Sequence, residues 1–262
     1  MNRLKLGVRL ESLGLPLRRA ITEAARLGVP GVQADAAGDL APDTLSQSGR
    51  REFLHLLRGH NLELGALGCP LRRGLDVAED QQPRLDRVKA VMSLSHDLGP
   101  GVTIIEAGAV PEDVNSPGGQ LMSEALLTLG QHGDRVGAVL ALETGLEPGA
   151  ALADFLKRFD TGGLGVNLDP ANLLLHGHDP YESTRALRGR IVHAHARDAR
   201  RAGASRSAQE VTLGHGDIDW LELLGALEEV EYRGYLTVER EGGDNRLADV
   251  AAGVAFLRRF VG

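Results

Sequence analysis

Four residues carry the chemistry that the sequence offers. Glu143 closes an apolar run over 138–143, Asp169 closes 165–169, His195 closes 191–195 and Glu239 closes 235–239. Each run is short, aliphatic or β-branched and followed by turn residues, so each reads as a strand with a polar side chain at its C-terminal end. Three carboxylates and one imidazole around a common axis suit one divalent cation of hard or borderline character. Mn²⁺, Mg²⁺, Co²⁺ and Fe²⁺ fit such a donor set, and Zn²⁺ is compatible with it. A single carboxylate after a single strand usually caps a helix or faces solvent. Four such groups on four consecutive strands are hard to assign to coincidence. His193 falls on the same side of its strand as His195, because side chains alternate, so both imidazoles can face the site. One is expected to bind metal, the other to support it or meet substrate.

The chemistry follows from those parts. A cation holding the carbonyl and adjacent hydroxyl oxygens of a hydroxycarbonyl compound would acidify the neighbouring C–H by stabilising an enediolate. Glu143 and Glu239 each have two carboxylate oxygens, so each can serve as ligand and as acid/base. Returning the proton to the opposite face epimerises the substrate, and returning it to the next carbon isomerises it.

These runs belong to a longer alternation that must position them. Strands are expected over 5–10, 31–35, 63–67, 102–106, 138–143, 165–169, 191–195 and 235–239. Helical patterns follow over 17–27, 44–59, 84–98, 120–131, 150–159, 180–187, 220–230 and 247–260. Eight strand–helix units in 262 residues, about 33 residues each, match an α/β single (β/α)₈ TIM barrel spanning 1–262 as one domain. The first strand-to-helix turn, over 11–16, lacks the spaced glycines of a dinucleotide-binding fold. The longest irregular piece, 196–216, carries Arg197, Arg200, Arg201 and Arg206. Loops of that length are commonly functional.

Composition narrows the class. With 29 Lys and Arg against 36 Asp and Glu the net charge is −7, so no basic excess exists to neutralise a nucleic acid. The lone Cys69 permits neither an internal disulfide nor a cysteine-rich zinc cage. It reads as a small buried apolar residue in a reducing cytoplasm. No apolar run reaches the ~20 residues of a membrane span, and the start has no signal-peptide core. The expectation is therefore a cytoplasmic protein without membrane contact. Aromatics are only 3% while glycine reaches 34 residues, which predicts an aliphatic core with many tight turns.

The placement of these residues resembles the xylose isomerase-like barrels, specifically the sugar (phosphate) isomerase/epimerase group that includes ketose 3-epimerases. The similarity covers nearly the whole chain, and its weight lies in the second half. It rests on Leu142-Glu143, the stretch NLDPAN at 167–172, HAHARDARR at 193–201, GHGDIDW at 214–220 and YRGYLTVE at 232–239. The resemblance implies Glu143, Asp169, His195 and Glu239 as ligands of one metal ion, with Glu143 and Glu239 also catalytic. His195 is preferred to His193 because it matches the second histidine of the family's pair. Arg201 resembles the substrate-contacting arginine of the family, and Asn172 and His193 complete the expected substrate contacts.

Two departures stand out. Ketose 3-epimerases have a histidine where this chain has Asn172, which alters a sugar-hydroxyl contact. A further family glutamate after the fifth strand has no clean counterpart, since Glu147 and Gly149 compete for its place. The resemblance implies a small carbohydrate substrate, and a homo-oligomer is compatible with it. Three other readings stand beside the isomerase or epimerase. They are a lyase or dehydratase of a keto-sugar or keto-inositol on the same site, a non-catalytic sugar-binding barrel, and an endonuclease IV-like nuclease. The last is disfavoured by the net charge and by the missing histidines on strands two to four.

Overall fold

Eight parallel strands close on themselves in the computed structural model, which describes residues 4–203 and 207–261. In chain order the strands are β1 (Lys5–Arg9), β2 (Gly31–Asp35), β3 (Glu63–Gly68), β4 (Val102–Ile105), β5 (Val139–Glu143), β6 (Leu164–Leu168) and β7 (Ile191–Ala196), then a short ribbon of β8 (Asp198–Arg200) and β9 (Gln209–Val211), and finally β10 (Tyr235–Val238). The barrel order is β1-β10-β7-β6-β5-β4-β3-β2, with β8 and β9 outside it as an antiparallel pair. The helices are α1 (Leu17–Arg26), α2 (Gln47–Gly59), α3 (Gln81–Leu98), α4 (Pro117–Val136), α5 (Gly149–Leu156), α6 (Pro170–Leu175), α7 (Pro180–Ala186), α8 (Trp220–Glu229) and α9 (Arg246–Val261). This is the single (β/α)₈ barrel that the alternation predicts.

Alternation along each strand decides what faces the helices and what faces the axis. Leu140 and Leu142 of β5 join the large buried cluster that the helices cover. Ala141, between them, belongs instead to a small separate cluster with Ala66 and Ile104. Glu143 follows Ala141 by two residues and so shares its side of the sheet. Each strand thus grips the helical shell with one face and offers the other to the barrel interior.

The structure departs from the sequence expectations in three places. The segment 196–216 contains the β8–β9 ribbon, tied by the buried Asp198, whose Oδ2 accepts from the Gly214 and Gly216 amides at 2.8 and 3.0 Å. Three-residue strands lack enough alternation to be read from sequence. Helix α6 forms directly after β6, and its six residues are too few for a helical period. Asp169 is the N-cap of α6 rather than the last residue of β6, and Glu239 likewise lies one residue past β10. Arg206 lies outside the described residues.

Opposite the polar strand ends, Tyr235 lies across β1, β2 and β3. Its hydroxyl donates to Glu63 Oε2 at 2.6 Å, and its ring occupies the space left by Gly7, Gly31 and Gly65. A Cβ on Gly31 would fall 2.2 Å from the ring. Gly31→Ala is therefore expected to destabilise the barrel by about 1–3 kcal/mol through overpacking, measured by urea unfolding. The same substitution in a Tyr235→Ala background should cost nearly nothing, because the double-mutant cycle removes the clash.

Candidate metal centre

Strand termini bring the expected ligands together. One donor atom from each of Glu143, Asp169 and His195 lies within 4.8 Å of the other two. The Nδ1 atom of His195 is the hub: Glu143 Oε2 is 3.8 Å away, Asp169 Oδ2 3.7 Å and Glu239 Oε2 2.5 Å. Asp169, His195 and Glu239 are almost fully buried. Asp169 divides its work between its two oxygens. Oδ1 accepts the backbone amide of Asn172 at 2.8 Å and caps α6, which leaves Oδ2 for the centre.

Layers of neighbouring side chains hold these groups. Asn167 sits level with Glu143 on β5 and His193 on β7. Its Nδ2 donates to Glu143 Oε2 at 3.3 Å, and its Oδ1 lies 2.8 Å from His193 Nδ1. His193 Nε2 in turn lies 2.9 Å from Thr237 Oγ1. Both ring nitrogens of His193 therefore face protein groups, and the ring packs edge-on against that of His195. On the outer side, Arg9 donates to Glu239 Oε1 through Nη1 and to Asp35 Oδ2 through Nη2 at 2.8 Å.

Arg197 fills the other flank. Its Nη1 donates to Asn172 Oδ1 at 2.8 Å and to Asp169 Oδ2 at 3.4 Å, and its Nη2 donates to Glu241 Oε2 at 2.6 Å. The Asn172 amide then donates through Nδ2 to Glu143 Oε1 at 2.7 Å. Asn172 thus joins Arg197 to Glu143. Arg201 is exposed, and its backbone amide donates to Asp217 Oδ2 at 2.8 Å. It does not line the two clefts at the strand ends. The smaller cleft, about 70 Å³, is bordered by Arg9, Gln33, Asp35, Cys69, Glu143 and His195. The larger, about 280 Å³, is bordered by Thr144, Gly145, Asn172, His176, Arg197 and Glu241. Glu106 and Glu143 belong to both.

Sequence reasoning missed Arg9, Gln33, Asn167, Arg197 and Glu241. Alternation contained a signal for one of them: His193, His195 and Arg197 are two residues apart and share a side. Arg9 and Gln33 lie on the first two strands, whose chemistry shows only once the barrel closes and brings β1 and β2 round to β10.

The electrostatics fit a cation. Burial alone would depress His195, but Glu239, Asp169 and Glu143 raise it to about 10. Burial pushes Glu143 well above the usual carboxylate range, and the neighbouring Glu239 and Asp169 add to this. Burial likewise opposes ionisation of Glu239, but His195, Arg9 and Arg197 hold it well below its ordinary value. Glu239 Oε2 is buried with no well-aligned hydrogen-bond donor. An oxygen-rich donor set with one imidazole, whose carboxylates a protonated His195 bridges in the absence of metal, suits a divalent ion that would take over that positive charge.

A pH dependence follows. In the metal-free protein His195 contributes stability that is complete below its unfolded value of 6.5 and is lost as pH rises through about 10. Glu143, also raised, costs more stability as pH rises and it is forced to ionise. A bound ion replaces those protons, so its stabilising effect grows with pH. Saturating Mn²⁺ should raise Tm by roughly 5–10 °C at pH 8, from about 2.7 kcal/mol at a hundredfold excess over Kd and about 2–4 °C per kcal/mol. The gain should be less than half as large at pH 6, as read by scanning calorimetry.

Comparisons with known proteins agree with the fold. A family model described as "Xylose isomerase-like TIM barrel" matches residues 21–260. A xylose isomerase domain protein from Planctomyces limnophilus is 26% identical, with a TM-score of 0.87 over 98% of this chain and 97% of that one. A D-psicose 3-epimerase from Clostridium cellulolyticum H10, solved with D-tagatose, is 15% identical, with a TM-score of 0.78 over 98% and 99% of the two chains. The probable 3-DHS dehydratase AsbF from Bacillus anthracis is 18% identical, with a TM-score of 0.79 over 97% and 99%. No curated protein matches the chain in sequence. No described helix is long and apolar enough to cross a membrane. The closed eight-stranded barrel and a family match that takes in all but its ends show that the chain belongs to the xylose isomerase-like TIM barrel family.

Proposed function

We propose that the chain is a divalent-metal-dependent isomerase or epimerase that moves a proton on the carbon beside a carbonyl of a small sugar or sugar derivative. The observation that carries this reading is the convergence of Glu143, Asp169 and His195 within 4.8 Å, with Glu239 against the same imidazole nitrogen. These four residues would hold the ion. When bound, it polarises a substrate carbonyl and makes the adjacent C–H more acidic.

The remaining work belongs to side chains. Glu143 stands at the junction of the two clefts, within reach of a substrate carbon lying across them, and is the proton acceptor. The Asn172 amide holds its Oε1, and Arg197 fixes which way that amide faces. Asn172 therefore acts on substrate through Glu143. Arg197 and Glu241 supply polar groups to the larger cleft, while Arg201 and His193 are left to support the loop and the layer beneath the centre.

One observation favours elimination as a second reading. Arg9 grips the outer oxygen of Glu239, whereas epimerisation by two carboxylates needs both to exchange protons. A single base on one face suffices for a lyase or dehydratase. Solvent exchange separates these outcomes. The protein is stripped with EDTA, reloaded with Mn²⁺ and incubated in D₂O with free ketoses and keto-polyols, and products are read by mass spectrometry. Deuterium in an epimer or isomer supports the first reading, and loss of water supports the second. Absence of both across the panel, with metal bound, contradicts catalysis and favours a sugar-binding barrel.

A further inference from the structure

We propose that Gln33 is a positioning residue that commits His195 to ligation through Nδ1. This rests on the metal reading above. An imidazole offers a lone pair from only one nitrogen, and which one is set by the hydrogen bond at the other. Gln33 Oε1 lies 2.9 Å from His195 Nε2, so it accepts a hydrogen bond from Nε2–H and keeps that nitrogen protonated, which leaves Nδ1, the nitrogen facing the three carboxylates, as the one that would bind the ion. Asn167 flanks the same ring from the opposite side, its amide nitrogen 3.1 Å from Nδ1, the nitrogen that Glu239 Oε2 also approaches at 2.5 Å. Its own orientation is set by His193 at Oδ1.

Position in the fold supports the role. Gln33 is 2% exposed and sits on β2, across the barrel from β7. The pairing of β2 with β3 shifts register between Val32 and Gln33, and that of β6 with β7 shifts between Val166 and Asn167. Irregularities of this kind re-aim side chains beside active sites. Both amides that flank His195 follow one.

The test compares Gln33→Met, which keeps length without an acceptor, with Gln33→Glu, which keeps the acceptor. Co²⁺ affinity is measured by calorimetry on the full chain, and thermal unfolding of the metal-free proteins serves as the control. Gln33→Met is expected to weaken Co²⁺ binding about 10–100-fold, while Gln33→Glu stays within about threefold of wild type. Equal affinity for Gln33→Met and wild type would overturn the role of Gln33 and leave the metal reading intact. Absence of Co²⁺ binding by wild type would overturn both. Should Gln33→Met fail to fold, ¹⁵N-histidine spectra of the Zn²⁺-loaded wild type decide the matter: a ligated Nδ1 with a protonated Nε2 is expected, and the reverse pattern contradicts the proposal.

Discussion

Asp169→Asn should lower Mn²⁺ affinity by about a hundredfold or more and leave the barrel folded. The two carboxylate oxygens of Asp169 have separate duties, so the substitution acts on one of them. Asparagine keeps an oxygen to accept the Asn172 amide, preserving the cap of α6. What it loses is the charge at Oδ2, one of the three carboxylate oxygens around His195 Nδ1. Losing an outer partner of a ligand already costs about 10–100-fold in affinity, and a ligand charge should cost at least as much. Metal-free Tm should stay within a few degrees of wild type, because relief of like-charge repulsion offsets the weaker contact with Arg197. Calorimetric titration with Mn²⁺ and thermal unfolding of the same samples check both halves.

The second large effect separates the two glutamates. Glu143→Gln should cut deuterium exchange by about 10²–10⁴-fold even at saturating metal, the usual contribution of a positioned acid/base group. Glu239→Gln should weaken metal binding, but its exchange at saturating metal should fall far less. The asymmetry comes from their neighbours. Glu143 has a neutral amide on its outer oxygen, while Glu239 has a guanidinium there. Single-turnover exchange in D₂O at several Mn²⁺ concentrations distinguishes lost occupancy from lost chemistry. Equal losses in both variants at saturation would point to two-carboxylate proton transfer and against the role given to Arg9.

Much of the barrel is legible in the sequence. Apolar runs such as 138–143 end in polar residues at a spacing that only a strand–helix repeat explains, and each of the eight appears as a barrel strand. The centre was legible to the extent that it lies on strand ends: Glu143, Asp169 and His195 converge as the runs suggested. The supporting shell was not legible, for a topological reason. Gln33 meets His195 across 162 positions of sequence, and Arg9 meets Glu239 across 230. No local pattern records such pairs, since closure of the sheet creates them. The arginine expectation shows a subtler limit. The family resemblance singles out Arg201 as a substrate contact, and the structure adds Arg197, which follows His195 on the same side of the strand and reaches Asn172 and Asp169. A helix cap and a metal ligand also looked like competing roles for Asp169. With two oxygens, one carboxylate takes both geometries.

The central claim is that Glu143, Asp169, His195 and Glu239 hold one divalent ion. Anomalous diffraction at the manganese edge, from crystals of the full chain soaked or grown with Mn²⁺, tests it most directly. A single strong peak bounded by those four side chains is expected, with His195 ligating through Nδ1 and Glu239 through Oε2. Crystals saturated with Mn²⁺ that show no peak there, or a peak held by other residues, would contradict it.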